Sequence, residues 1–300
     1  MTRFPNNGVE GFRLEAEALA ARLPALLAEA DRVASTVAQG VHGRRRAGSG
    51  DSFWQYRQLM PGESIARIDW RQSARSSRAY VRETEWEAAQ TVCLWRDASP
   101  SMDWRSDKRL PTKRGRAELL ALALAMLLLR GGEHVRLLEA DGVQARFSGR
   151  QAAERLARRL GEGSAGASSL PPDTGLPAHA RVVLIGDFLS PLPEIKRVLS
   201  GLAAIPVVPL LVQLLDPAEC QLPYDGRVRF EGLEGEAPQL VSRVQDVRFG
   251  YAEALDAHRR GLAGLCAAGG ALLLHHRTDQ PPHTVLLALH EALRRRSVAA

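Results

Sequence analysis

The chain has 300 residues, enough for one large domain or two modest ones. Hydrophobic residues make up 45% and charged residues 25%, which excludes a disordered or fibrous chain and is typical of a soluble globular protein. The net charge of +6 is carried by arginine rather than lysine. An anionic partner would explain this excess, and so would an arginine-rich composition inherited from a GC-rich genome, which we favour.

The cysteine content and the apolar runs indicate in which cellular compartment the protein resides. Cys93, Cys220 and Cys266 form no closely spaced pair, which argues against a zinc site and is typical of a reducing compartment. The first residues lack the apolar core of a signal peptide. The longest strongly apolar run, Leu119–Leu129, has 11 residues and is too short to cross a bilayer. We therefore expect a cytoplasmic protein without a membrane span.

The chain divides into three predicted parts. Residues 1–42 are predicted to be an N-terminal helical segment of open role, because leucines recur at helical spacing over 12–39. Residues 43–90 are predicted to be an Arg/Trp-rich accessory segment of α+β type, with an exposed strand near 78–83. Residues 91–300 are predicted to form one α/β domain.

Apolar strands alternate with helices in the third part. This pattern predicts a doubly wound, mostly parallel sheet that is covered by helices on both faces. The predicted strands span 91–95, 134–140, 143–147, 181–186, 205–214 and 271–276, and the predicted helices span 112–130, 149–160, 192–203, 250–267 and 283–296. Short strands and turns are expected over 216–249, and Asp141-Gly142 is a hairpin signal.

Two of the predicted strands end in an aspartate. Asp97 and Asp187 should meet at the carboxyl edge of the sheet, where open α/β folds bind their ligands. Asp97, Ser99 and Ser101 alternate, so their side chains should lean to one side. Carboxylates and hydroxyls are the oxygen ligands that Mg²⁺ or Mn²⁺ prefers. The sequence thus predicts a metal site on Asp97, Ser99, Ser101 and Asp187, with an open position for a partner's carboxylate.

Other interpretations of this loop stay open. Asp and Ser could simply cap the helix that follows. The same site could serve a metal-dependent hydrolase, or the protein could be a metal-free scaffold. A G-x-S-x-G elbow and a phosphate-binding G-x-x-x-x-G-K-[ST] loop are both missing, and Ser99 disfavours an Asp-x-Asp phosphatase. We favour a non-enzymatic binding role.

The stretch from His42 to Arg82 is basic. It holds nine arginines against three acidic residues, and Trp54, Tyr56, Trp70 and Tyr80 interleave with them. A groove for nucleic acid could have this composition. A structural layer, in which arginines pair with carboxylates and stack on tryptophan, could have it too. We favour the structural layer and do not expect a nucleic-acid partner.

Four stretches of the chain carry a family resemblance. They are Gly50–Glu63, Arg67–Arg75 with its Ile-Asp-Trp, Tyr80–Glu83 with its Val-Arg-Glu, and Leu215–Glu219 with its Asp-Pro-x-Glu turn. Together they resemble the bacterial family catalogued as domain of unknown function 58, over about residues 43–290. In this sequence Arg96 stands where the family has an apolar residue. Its charge could lower metal affinity, or its side chain could point away.

The resemblance implies a von Willebrand factor A-like domain. It implies a metal-ion-dependent adhesion site on Asp97, Ser99 and Ser101 and no established enzyme activity. It also implies an adaptor role beside a MoxR-type AAA+ ATPase, in assembly or chaperone-like tasks. The threonine that completes such sites has no single match here, and four residues of one loop are candidates: Ser164, Ser168, Ser169 and Thr174. The client and the oligomeric state are not predicted.

Overall fold

A computed structural model describes most of the chain. The described residues are 28–38, 53–59, 68–75, 78–84, 90–139, 144–148, 151–161, 168–173 and 175–295. They separate into two compact units, one within Gln39–Ala89 and the other within Met1–Ala38 and Gln90–Ala300. The predicted helix before residue 28, the Asp141-Gly142 turn, Ser164 and Thr174 lie outside the described residues.

In its described residues, the smaller unit has two strands and one short helix. Strand β1 (Phe53–Gln58) pairs antiparallel with β2 (Tyr80–Thr84), so a strand is present close to the one predicted near 78–83. Helix α2 (Trp70–Ser73) lies between them in the chain.

Hydrogen bonds join the start of α2 to β2. The Asp69 amide donates to the Tyr80 carbonyl at 2.8 Å. The Ser73 hydroxyl donates to the Asp69 carbonyl and accepts from the Tyr80 amide, both at 2.8 Å. The Ile-Asp-Trp stretch is therefore a turn that is bonded to the following strand.

The larger unit alternates strands and helices. Its helices are α1 (residues 28–38), α3 (Lys113–Arg130), α4 (Ala152–Gly161), α5 (Leu192–Ala203), α6 (Pro217–Gln221), α7 (Val244–Ala268) and α8 (Pro282–Arg295). Its strands are β3 (Thr91–Arg96), β4 (His134–Leu138), β5 (Gln144–Phe147), β6 (Arg181–Gly186), β7 (Val208–Leu215), β8 (Val228–Phe230), β9 (Gln239–Val241) and β10 (Leu272–Arg277). No helix in the described part of the chain is long and apolar enough to cross a membrane.

Six strands form the central sheet in the order β10-β7-β6-β3-β4-β5. Neighbouring strands run parallel except β4 and β5, which pair antiparallel. The predicted mostly parallel sheet is therefore confirmed. The chain winds outward from β3 through β4 to β5, returns to β6, and winds outward again on the other side. A topological switch point consequently lies between β3 and β6.

Helices lie against both faces of this sheet. Cys93 and Trp95 of β3 belong to a buried cluster that includes Ile195 of α5 and Leu262 of α7. Arg96, the next residue of β3, forms an ion pair with a glutamate of α3, on the opposite face. Helix α3 also contacts α4 and α8. The two central strands, β3 and β6, are buried almost throughout, as their mostly apolar sequences predict.

The region 216–249 differs from the expectation of short strands and turns alone. Helix α6 was not predicted, and α7 begins at Val244, six residues before the predicted start at 250. Valine and phenylalanine lower the intrinsic helix propensity of this stretch. Complete burial of Val244 in the fold outweighs that preference.

Candidate functional site

Asp97 lies at the end of β3, fully buried. Its amide donates to the Ile185 carbonyl of β6 at 2.8 Å, and its Oδ1 accepts from the Ser99 amide at 2.8 Å. Its Oδ2 is buried and has no hydrogen-bond partner among the described residues. Burial raises the pKa of Asp97 to about 6; the hydrogen bonds from Ser99 oppose this shift and the charge of Asp187 adds to it.

The other three predicted residues continue from Asp97 as a connected chain. The hydroxyls of Ser99 and Ser101 lie 3.0 Å apart. Ser101 Oγ donates to Asp187 Oδ2 at 3.4 Å. The fold thus brings Asp97, Ser99, Ser101 and Asp187 together at the switch point between β3 and β6. Their role as metal ligands stays a prediction.

The loop from Asp97 to Ser101 does not cap the helix that follows it, which was the alternative interpretation of these residues. Ser99 precedes a short 3₁₀ helix (Pro100–Asp103) but makes no side-chain capping hydrogen bond. Thr112 caps α3 instead, by accepting from the Gly115 amide. The hydroxyls of Ser99 and Ser101 are therefore directed to each other and to Asp187 rather than to a helix terminus.

A constrained turn fixes Asp187 after β6. Phe188 has φ of 50°, a left-handed conformation that is unfavourable for a bulky residue. The turn is held from several sides: His258 Nε2 donates to the Phe188 carbonyl at 2.7 Å, and Gln213 Nε2 donates to the Asp187 carbonyl at 3.1 Å. The Phe188 ring packs 6.3 Å from that of Trp95. Packing and hydrogen bonds together offset the backbone strain.

Gly186 lets β6 approach Asp97 closely. A Cβ atom at this position would lie 3.0 Å from Asp97 Cβ and 3.3 Å from Asp97 Oδ2. The glycine is thus matched to the tight position of the Asp97 carboxylate.

Sequence reasoning missed Lys113, which has the central position in this cluster. Its side chain is buried, and its Nζ donates to Asp187 Oδ2 at 2.9 Å and to Glu219 Oε1 at 2.5 Å. Burial alone would lower the pKa of Lys113, but the two carboxylates outweigh it and the pKa is raised. One signal was present in the sequence: a lysine at the start of a helix opposes the helix dipole, which calls for a compensating contact.

Glu219 reaches Lys113 through the Asp-Pro-x-Glu turn. Asp216 and Glu219 form a capping box at the start of α6: Asp216 Oδ1 accepts from the Ala218 amide at 2.9 Å, and Glu219 Oε2 accepts from the Asp216 amide at 2.7 Å. The other oxygen of Glu219 remains for Lys113. Burial raises the pKa of Glu219, and the contacts with Lys113 and the Asp216 amide offset this only in part.

Arg96 points away from the site. Its guanidinium donates to the Leu160 carbonyl of α4 and lies 3.9 Å from Glu118 of α3. Of the two alternatives that the sequence left open, a charge that lowers metal affinity and a side chain that points away, the structure has the side chain that points away. Its charge is compensated on the other face of the sheet.

The loop before β6 supplies no further contact to Asp97 among its described residues. Ser169 Oγ lies 2.9 Å from Ser190 Oγ, and Ser168 Oγ accepts from the Leu170 amide at 3.2 Å. Nowhere in the described ranges do three or more His, Cys, Asp or Glu side chains form a group that could hold a metal ion. The predicted site relies instead on two carboxylates and two hydroxyls.

Comparison with known proteins agrees with the sequence motifs. Residues 55–261 match the family described as "Protein of unknown function DUF58". The chain belongs to the DUF58 family. The stretches Arg67–Arg75, Tyr80–Glu83 and Leu215–Glu219 all lie within the matched residues, so the capping box and Glu219 are part of the family region.

Relatives of this DUF58 chain occur in mycobacteria. It is 29% identical over 276 residues to uncharacterized proteins of Mycobacterium bovis and Mycobacterium tuberculosis, covering 87% of this chain and 86% of each relative. An uncharacterized protein of Mycobacterium avium is 34% identical over 98 residues, which is 33% of this chain and 57% of that protein. A solved structure, the conserved hypothetical protein BatB from Bacteroides thetaiotaomicron, matches 69% of this chain and all of that chain at 10% identity, with a TM-score of 0.41.

Proposed function

We propose that this DUF58 protein is a non-enzymatic adaptor that binds a partner protein at the carboxyl edge of β3 and β6. One observation carries the proposal: the fully buried Asp97 keeps an unpartnered carboxylate oxygen beside two hydroxyls that lie 3.0 Å apart. A buried oxygen without a partner is costly. Its position at a topological switch point is where α/β proteins bind ligands.

We propose a divalent cation, Mg²⁺ or Mn²⁺, as the link between this edge and the partner. Asp97, Ser99, Ser101 and Asp187 would hold the ion, and their oxygens match its preference for hard ligands. Four side chains of this kind leave coordination positions for water or for a carboxylate of the partner. The residues at the site would bind and orient the ion, while Gly186 leaves room for Asp97.

The partner we propose is a MoxR-type AAA+ ATPase, and the compartment is the cytoplasm. The larger unit would act as a von Willebrand factor A-like domain. Support comes from the DUF58 membership and from the doubly wound sheet with its paired strand-end aspartates. Three free cysteines in the described residues are in keeping with a reducing compartment. The task would be assembly or chaperone-like work.

Calorimetric titration with Mn²⁺ tests the metal site. We expect heat of binding with the unaltered protein and its loss in Asp97→Ala. Asp103→Ala is the matched control, because Asp103 follows the same loop but is exposed and paired with Arg114. Absence of binding heat in the unaltered protein would overturn the metal site, and binding that survives Asp97→Ala would place the ion elsewhere.

The adaptor role needs a separate experiment. The purified protein would be tested for binding to a MoxR-type ATPase from the same genome, preferably one encoded beside it, in Mn²⁺ and in EDTA. We expect a complex that EDTA and Asp97→Ala both weaken. If Mn²⁺ instead supports turnover of phosphoester or peptide substrates, and Asp97→Ala abolishes it, the protein is a hydrolase and the adaptor proposal is wrong.

A further inference from the structure

We infer that Lys113 is a tethered cation that competes with a divalent ion for Asp187 and so sets the ion affinity of this edge. The inference deepens the proposed function and rests on it. The observation behind it is the pair of contacts at Lys113 Nζ, 2.9 Å to Asp187 Oδ2 and 2.5 Å to Glu219 Oε1.

The acidic groups around Lys113 require a cation. Asp97 and Asp187 end adjacent strands and are both buried, and Glu219, from the start of α6, shares the Lys113 ammonium with Asp187. Like charges in such a place repel each other and favour protonation. A single buried ammonium between two of them relieves this repulsion. In the absence of any divalent ion, Lys113 thereby performs the charge compensation that an ion would otherwise provide.

A divalent ion at this edge would compete with Lys113 for Asp187. The same oxygen, Asp187 Oδ2, accepts hydrogen bonds from Lys113 Nζ and from Ser101 Oγ. An ion that bound Ser101 and Asp187 would have to displace the ammonium from this oxygen or bind close to it. Either event opposes ion binding, because two cations would then share one carboxylate in a buried environment.

Glu219 gives the Lys113 ammonium a partner when an ion binds Asp187. Glu219 is held by the capping box through its Oε2, which leaves Oε1 directed at Lys113. When an ion takes Asp187, Lys113 can keep its ion pair with Glu219. The Asp-Pro-x-Glu turn thus provides a second resting position for the ammonium, and the exchange needs no rearrangement of α3 or α6.

The test compares Mn²⁺ affinity by calorimetry in three chains: the unaltered protein, Lys113→Met, and Lys113→Met combined with Glu219→Gln. The double variant removes one charge of each sign, so the net charge of the cluster is unchanged and the chain is less prone to misfold than the single variant. Lys108→Met, at an exposed lysine of the preceding loop, is the control. We expect the double variant to bind Mn²⁺ at least about tenfold more tightly than the unaltered protein.

A second readout follows from the compensating role of Lys113. Mn²⁺ should raise the melting temperature of the unaltered protein relative to EDTA, and should raise that of the double variant by several degrees more, because tighter binding to the folded state stabilises it further. Mn²⁺ affinity that is equal or weaker in the double variant overturns this inference and leaves the proposed site standing. Absence of Mn²⁺ binding in all chains overturns the proposed site and this inference together.

Discussion

Lys113 Nζ lies 2.9 Å from Asp187 Oδ2, and both side chains are buried. The two residues are 74 positions apart in the chain, one at the start of α3 and the other just after β6. Their contact joins the two sides of the switch point by a buried ion pair. Breaking such a pair by removing one partner typically costs about 3–5 kcal/mol, because the remaining charge is left without compensation.

Replacing Asp97 with asparagine should change the pH dependence of stability. The folded-state pKa of about 6 lies above the ordinary 3.8, so the folded chain holds this proton more tightly than the unfolded chain. The resulting stabilisation is complete below the ordinary pKa and is lost as the pH rises through about 6. At pH 7.5 in EDTA, Asp97→Asn should therefore be more stable than the unaltered protein, by up to about 3 kcal/mol.

Urea denaturation at pH 4.5 and 7.5 measures this effect. Asparagine keeps an acceptor for the Ser99 amide, so the loop should not be perturbed. Asp103→Asn, at the exposed end of the same loop, should leave the pH dependence as it is. A stability of Asp97→Asn that falls between the two pH values as steeply as that of the unaltered protein would contradict the prediction.

His276 should act in the opposite direction. Burial, with a smaller contribution from the charge of Arg116, lowers its pKa from 6.5 to about 4. The unfolded chain then binds this proton more tightly, so the stability present above pH 6.5 is lost as the pH falls towards 4. His276→Gln should reduce this acid loss by up to about 3 kcal/mol, measured by denaturation at pH 7.5 and 4.5.

The control for His276 is the exposed His134, where His134→Gln should have little effect on the acid loss. Because Asp97 and His276 act with opposite sign over an overlapping pH range, the unaltered protein by itself would not separate them. An acid loss in His276→Gln as large as that of the unaltered protein would show that protonation of this residue is not what destabilises the fold.

Substitutions of Glu219 can separate two contributions to stability, its ion pair with Lys113 and its part in the capping box of α6. Glutamine can replace glutamate in a capping box, whereas alanine cannot. Burial raises the pKa of Glu219, so its negative charge is poorly favoured in the fold. We expect Glu219→Gln to lower the free energy of unfolding by no more than about 1 kcal/mol, and Glu219→Ala to lower it by about 1–2 kcal/mol more. Equal losses in guanidinium denaturation would mean that the cap contributes nothing.

Gly186→Ala should disturb the site directly. The added methyl would lie 3.0 Å from Asp97 Cβ, so either the backbone or Asp97 must shift. We expect a loss of about 1–3 kcal/mol in thermal or chemical denaturation, as for other overpacked positions. In Mn²⁺ titrations, we also expect weaker binding.

Gly201→Ala is the matched control for that change. Gly201 lies within α5, and a methyl there would meet nothing within 4 Å. Alanine is favoured over glycine inside a helix, so this variant should be slightly more stable, by about 0.5–1 kcal/mol. If both substitutions have the same effect, the close approach at Gly186 is not restrictive.

Several elements follow from local sequence alone. The buried strand Arg181–Gly186 and the helix Leu192–Ala203 have the bounds that apolar runs and helical spacing predict. The same local logic fails at Val244–Phe249, where side chains with weak helix preference are helical because Val244 is buried. Short stretches of ambiguous propensity are decided by tertiary packing.

The sequence by itself determined which residues end the central strands, and therefore that Asp97, Ser99, Ser101 and Asp187 would meet at one edge. This is possible because the carboxyl ends of parallel strands share an edge whatever the details of packing. Only the tertiary structure decided what joins them there. Lys113 and Glu219 come from the starts of two helices, and their distance to Asp187 depends on how α3 and α6 pack, which no pattern of nearby residues encodes.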